Sequence, residues 1–282
     1  MGENKQIKDS LFVDLFQNDV TAKENFLSLY NAIKGTDLKS EDTEIVPKRL
    51  EQVAYRSLYN DVSMLVNNRL IVLVEHQSTV NENMPLRFLL YVAHLYEVII
   101  KTRDKYRRTL VKIPTPEFYV IYNGTEDYPA MKELHLKDAF MELQAEAKLD
   151  LTVTVYNVNK PQESGIVQHC RMLNDYCKFI EIVNEEKDKG TEEGIKQALE
   201  KALKMGLLPN YLERKVSEVY NFLLGEYDYD TDIAVQREEA FEQGAYNAMR
   251  SSAQAMLEMN IPIDQIMKIT KLPEAEIYSL RQ

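Results

Sequence analysis

The chain has 282 residues, with 34 Lys+Arg against 45 Asp+Glu and a formal net charge of -11. That balance excludes a nucleic-acid binder driven by overall charge, because such proteins are basic where they meet phosphate; it leaves room for one local basic face. Hydrophobic residues at 45% and charged residues at 28% mark a globular chain rather than a disordered one, and 9 Gly with 9 Pro are too few for a loop-rich all-β fold.

In chain order, the first elements are helical. Asp9–Phe16 places Phe12, Leu15 and Phe16 on one face, and Ala22–Ile33 does the same with Phe26, Leu29, Tyr30 and Ile33. Asp61–Val66 alternates as a strand does. Asn67-Asn68 follows, and asparagine tolerates the positive φ of a tight hairpin. Leu70–Val74 is a continuous apolar run, expected for a strand buried on both faces. Pro85 suits the first turn of a helix running from Leu86 to Ile100. Phe118–Tyr122, ended by Asn123-Gly124, and Leu151–Tyr156 are two further strands. Strands separated by a helix imply crossover connections and a mixed sheet.

After Pro161 the pattern is helical throughout: Gly165–Val183, a polar hinge at Glu185–Gly194, Gly194–Met205 and Leu212–Leu224. Glu226–Asp232, EYDYDTD, reads as an acidic loop without the spacing of a calcium loop. Ala245–Leu280 reads as helix, turn, short helix, turn, short helix, with Pro262 and Pro273 ahead of the short helices. Residues 1–160 carry 20 bases and 23 acids, and residues 161–282 carry 14 and 22, so the acidity is concentrated in the helical part. The expected division is therefore an α/β core over 1–160 and an acidic helical region over 161–282 with a helix-turn-helix-like tail. Three bases and four acids in 251–282 suit oligomerisation or docking better than reading DNA.

Cys170 and Cys177 fall seven apart in one expected helix, which opposes a mutual disulfide, and two thiols do not make a zinc site. This fits a reducing cytoplasm, the expected location. The opening MGENKQIKDS lacks the apolar core of a secretion signal, and Leu70–Val74 is far too short to span a bilayer, so no membrane role is expected.

The chemistry concentrates in Asn60–Gln77. Side chains alternate across a strand, so Ile71, Leu73, Glu75 and Gln77 share one face. Pairing about a turn near residue 68 sets Asp61 across from Glu75, two carboxylates at one sheet end with an amide beside them. Carboxylates so placed repel unless compensated, and a hard divalent cation, Mg²⁺ or Mn²⁺, is the simplest compensation. A metal there can activate water for phosphodiester hydrolysis. The competing reading is a structural hydrogen-bond network around Glu75, because a buried carboxylate needs partners.

An acid, a hairpin and an Asp/Glu-x-Lys strand resemble the PD-(D/E)XK nuclease superfamily. The chain resembles one branch of it, the Rpn-like recombination-promoting nucleases and transposases of bacteria, in which Glu-x-Gln replaces Glu-x-Lys; here it is Glu75-His76-Gln77. K-D-S-L-F-V-D-L-F resembles the family's opening, with Val13 at a position usually Lys. M-P-L-R-F-L-L-Y, Y-V-I-Y-N-G and the tail around M-L-E-M-N-I-P-I also match, with Lys271 where Gly is more common.

The resemblance implies a restriction-endonuclease-like core, Asp61 and Glu75 as metal ligands, Gln77 orienting water, and Asp9 as an accessory acid. It implies a Mg²⁺- or Mn²⁺-dependent endodeoxyribonuclease acting in recombination, mobile-element movement or defence. Arg87 and Tyr91, one helical turn apart, and the base-rich stretch with Lys101, Arg103, Lys105, Arg107 and Arg108 are the expected DNA contacts. For Arg87 the alternative is pairing with a core acid; for the base-rich stretch it is a solvated helix end. His76 falls on the opposite strand face and is read as a packed or surface residue. An inactive DNA-binding or interaction module on the same fold, and hydrolysis of RNA, are the rival functions.

Overall fold

A computed structural model describes residues 11–48, 62–142, 147–186 and 191–280 of the chain. Strands β1 (Ile45–Pro47), β2 (Val62–Val66), β3 (Leu70–Gln77), β4 (Thr115–Tyr122), β5 (Met131–His135) and β6 (Thr152–Asn157) form one mixed sheet in the order β1-β2-β3-β4-β6-β5. β3, β4 and β6 run parallel, whereas the β1–β2, β2–β3 and β5–β6 pairs are antiparallel. The expected mixed α/β sheet is therefore present.

Helix α1 (Leu11–Val13) leads into a π-helical turn over Asp14–Asn18, followed by α2 (Ala22–Lys34). Helix α3 (Met84–Ile99) makes the crossover between β3 and β4. The sheet explains the apolar run of β3. Ile71 and Leu73 pack with Phe88, Tyr91 and Leu95 of α3, while His76, pointing the other way, stacks on Phe12 with ring centroids 4.9 Å apart. A strand covered on both faces has no polar side to alternate with.

The β2–β3 hairpin turns through Asn67 (φ 49°) and Asn68 (φ 53°), both left-handed, with the Arg69 amide donating to the Val66 carbonyl at 3.0 Å. Asparagine is among the few side chains that adopt this region at low cost. The Asn67 side-chain oxygen also accepts the Glu44 amide at 2.8 Å, and the Asn67 amide donates to the Glu44 carbonyl at 2.8 Å. That clamp holds β1, which the sequence pattern does not announce. β5 was equally silent. Both are short edge strands: Pro47 stands in β1, and M-K-E-L-H has no β-branched residue.

Beyond β6 the described residues are helical: α4 (Pro161–Ser164), α5 (Ile166–His169), α6 (Arg171–Glu186), α7 (Thr191–Lys204), α8 (Pro209–Glu258), α9 (Ile263–Thr270) and α10 (Glu274–Ser279). Three expectations change. The single helix over Gly165–Val183 is broken, because Gly165 sits at φ 73° and Cys170 is extended, so Cys170 ends α5 while Cys177 lies in α6; both thiols are free. The polar hinge is shorter than Glu185–Gly194, since α6 runs through Glu186 and α7 begins at Thr191. Residues 226–232 are helical backbone within α8 rather than a loop. No proline interrupts that stretch, and a helix entering from each side propagates through it at little cost.

The chain divides into two compact units, Met1–Leu223 and Leu224–Gln282. The change from mixed to all-helical structure comes earlier, after β6. In the first unit, the start of α8 is tied to the N-terminal π turn. Tyr211 donates to Asp14 Oδ2 at 2.5 Å and Lys215 to the same oxygen at 2.8 Å, while Arg214 forks onto Asp19 at 2.9 and 3.2 Å. Lys215 leaves helical geometry (φ -126°, ψ 22°) at this point. In the second unit Ala253, Ile266, Leu272 and Ile277 form a small core, and Lys271 closes α9 in the left-handed region at φ 61°.

Candidate active site at the end of the central strand

β3 ends L-V-E-H-Q, and the pleat separates its side chains. Glu75 and Gln77 share the α3 face with Ile71 and Leu73; Val72, Val74 and His76 take the other. The parallel register Glu75↔Val120 and Gln77↔Tyr122 places both polar residues at the carboxyl ends of β3 and β4, where open α/β sheets present ligand sites.

Glu75 is 4% exposed, a carboxylate carried into the core by the strand that ends there. Burial of a carboxylate demands compensation. The first turn of α3 contributes to it: Arg87 Nη2 donates to Glu75 Oε1. Arg87 also donates to the Tyr91 hydroxyl, from Nε at 3.1 Å and Nη2 at 2.8 Å. The expected one-turn spacing of Arg87 and Tyr91 thus produces one connected unit with Glu75. Arg87 pairs with a core acid, as one of its two readings has it, and its side chain remains 36% exposed. Gln77 donates its side-chain N–H to Met84 Sδ at 2.9 Å, a contact to α3 that the sequence pattern did not indicate.

His76 belongs to the opposite face. It lies between Phe12 and Tyr176, whose hydroxyl is 3.1 Å from His76 Nε2, and burial lowers its pKa to about 4. It is a packed histidine, one of the two alternatives its strand position allowed.

The strand end is braced by the Asn123-Gly124 turn. The Asn123 amide donates to the Gln77 carbonyl at 3.0 Å, and the Asn159 side chain donates to the Gly124 carbonyl at 2.7 Å. A Cβ at Gly124 would stand 2.0 Å from the Ser78 carbonyl oxygen and 2.5 Å from the Tyr122 hydroxyl. Glycine is required there by close approach rather than by a positive φ.

Asp61 and Asp9 lie outside the described residues. The observed hairpin register runs to Val62↔Val74, one pair short of the expected Asp61–Glu75 pairing. Among the described residues no three His, Cys, Asp or Glu side chains gather to hold a metal ion. Glu75 still offers carboxylate oxygens, and Gln77 keeps its amide oxygen after donating to Met84; these are hard donors of the kind Mg²⁺ takes while retaining waters.

Lys101, Arg103, Lys105, Arg107 and Arg108 lie elsewhere. They precede β4, whose first residue Thr115 pairs with Leu70, at the hairpin end of β3. Five strand residues, about 17 Å, separate that level from Glu75. The structure gathers Glu75, Gln77, Arg87 and Tyr91 and sets the base-rich stretch at the other end of the sheet.

The fold and this strand end define an α/β protein with a polar cluster at the carboxyl edge of its central strands. A family model described as "Putative transposase, YhgA-like" matches residues 7–204, and the chain belongs to this family of Rpn/YhgA transposase-like proteins. Comparison with curated proteins and with solved structures gives no match to either. No helix among the described residues is long and apolar enough to cross a membrane.

Proposed function

We propose that the protein is a Mg²⁺- or Mn²⁺-dependent DNA endonuclease on a restriction-endonuclease-like core, acting in recombination, mobile-element movement or defence. The observation that carries this reading is the placement of Glu75 and Gln77 on one face at the carboxyl end of the buried strand β3, in a chain of the transposase-like family.

Asp61 and Glu75 would hold the metal, with Asp9 as an accessory acid. A bound divalent cation supplies Lewis acidity and lowers the pKa of water for attack on phosphorus. Gln77 would orient the attacking water through its amide oxygen; an amide neither takes a proton nor carries charge, so its role would differ from that of the lysine it replaces. Arg87 fixes the Glu75 carboxylate, and Tyr91 fixes the guanidinium.

Plasmid nicking with Mg²⁺ or Mn²⁺ tests the reading. Wild type should nick; Asp61→Ala and Glu75→Ala should lose that activity, and Gln77→Ala should lose most of it. Equal activity in all four proteins would remove these residues from the mechanism.

The Arg87–Glu75 ion pair favours a second reading, because it already neutralises the carboxylate a metal would use. A non-catalytic DNA-binding or interaction module would show no Mg²⁺ or Mn²⁺ binding by calorimetry and would keep its DNA affinity in Glu75→Ala.

A further inference from the structure

Residues 101–113 carry six bases and one acid, Asp104. Asp104 is taken by Arg107, whose Nε is 2.8 Å from its Oδ1, with Arg103 Nε at 4.0 Å. Lys101, Lys105, Arg108 and Lys112 are exposed and make no ion pair among the described residues. Interleaved with them, Tyr106 is 83% exposed and Leu110 82%. Two large apolar side chains held in water beside four unneutralised cations suit a surface that is covered by something anionic with an apolar interior.

The segment is anchored. The Tyr96 hydroxyl donates to the Pro114 carbonyl at 2.6 Å, and the Thr115 amide donates to the Arg69 carbonyl at 2.7 Å, which brings exposed Arg69 to the same end of the sheet. Among the described acids, Glu117 pairs with Lys34 at 3.2 Å, Glu44 accepts from the Asn68 side-chain amide at 3.0 Å, and Glu97 lies 3.3 Å from His94.

We propose that residues 101–113, with Arg69, are a second nucleic-acid contact, distinct from the Glu75 end, where the cations grip a phosphodiester backbone and Tyr106 and Leu110 press against the bases. Phosphate neutralisation supplies the affinity. Exposed aromatic and aliphatic side chains supply stacking or a wedge between base steps. The separation of about 17 Å along the strands corresponds to about 5 base pairs of duplex at 3.4 Å each. A duplex engaged at Glu75 reaches this surface only if it continues that far. The inference extends the nucleic-acid reading above but requires no metal and no turnover, so it is tested separately from nicking.

The test is fluorescence anisotropy with a labelled 24-base-pair DNA duplex in EDTA, over a range of salt, comparing wild type with Lys101→Ala/Lys105→Ala/Arg108→Ala and with Tyr106→Ala. The triple variant should bind at least about tenfold more weakly at 0.1 M salt, and its log–log salt slope should fall by about 2 to 3, near 0.9 per lost phosphate contact. Tyr106→Ala should weaken binding with the slope unchanged. If the triple variant melts lower than wild type, Arg108→Ala alone should still reduce the slope by about 0.9. Unchanged affinity and slope in these variants overturn the proposal. So does a wild type that ignores the duplex but binds phosphatidylserine vesicles through these residues, which would make the surface a membrane contact. A failure of nicking with these binding results intact would sink only the nuclease reading.

Discussion

Arg87 reaches from the first turn of α3 to the carboxylate of Glu75 at the end of β3, and the same guanidinium is held by the Tyr91 hydroxyl. One helical turn and one strand end therefore form a single polar unit in an otherwise apolar layer. Removing the arginine takes from a buried carboxylate the positive charge that Arg87 supplies. Loss of one partner from a fully buried pair costs about 3–5 kcal/mol. The Arg87 side chain is 36% exposed, so water offsets part of that cost, and Arg87→Ala should destabilise the first unit by about 2 kcal/mol. Urea denaturation of Arg87→Ala, Glu75→Gln and the double variant checks this: the double variant should be less destabilised than the two single changes summed. Additive effects would show that the pair is not coupled.

Gly124 should not tolerate a side chain. Its missing Cβ lies within 2.0 Å of the Ser78 backbone oxygen, which has no flexible end to move. Gly124→Ala should cost more than the roughly 1–3 kcal/mol of ordinary overpacking. Because Asn123 binds the Gln77 carbonyl, amide resonances of Gln77 and Ser78 should shift as well. A melting temperature equal to wild type would contradict the packing.

Asp19 makes stability depend on acid. Burial opposes its charged form, but the Arg214 fork and the Thr21 hydroxyl and amide outweigh that and hold the carboxyl well below the usual range. In the unfolded chain an aspartate titrates at about 3.9. A group depressed on folding stabilises fully above its unfolded value, and that stabilisation drains as pH falls through and below about 4. Asp19→Asn should lower the urea midpoint at pH 7 and show a shallower further loss between pH 5 and 3 than wild type. Parallel pH curves for the two proteins would assign the acid loss to other groups.

Lys271 sits at φ 61°, where a Cβ is strained, and it occupies the cap of α9 where the resemblance led one to expect glycine. Lys271→Gly should stabilise the second unit by about 0.5–1 kcal/mol, by relief of that strain less the added freedom of the unfolded chain. Hydrogen exchange at Ile266 and Ile277 should slow accordingly. Faster exchange would mean that the lysine side chain contributes more than its backbone costs.

Much of this architecture was legible because its signals are local. The asparagine pair marked the hairpin, since asparagine adopts the left-handed φ of such a turn at low cost. The apolar run marked β3 as a buried strand, and its pleat put Glu75 with Gln77 and apart from His76. The π turn, β1 and β5 were not legible, because each is held by partners distant in sequence: Gln17 accepts the Ser63 amide at 2.7 Å, and Asn67 clamps Glu44. The helical state of 226–232 is not legible in its acidic composition, because helix propagation is decided by neighbouring turns.

The site divides in the same way. The acidic balance that opens the sequence excluded only a charge-driven binder; its uneven spread already pointed to a near-neutral core with one base-rich stretch. Spacing along one strand determined that Glu75 and Gln77 share a face. Tertiary structure decided the rest: Arg87 spends its charge on Glu75, and the bases of 101–108 stand at the far end of β3. Sequence distance cannot reveal either fact, because a parallel crossover returns the chain to the start of the neighbouring strand, and 16 residues of α3 carry the bases away from the carboxylate.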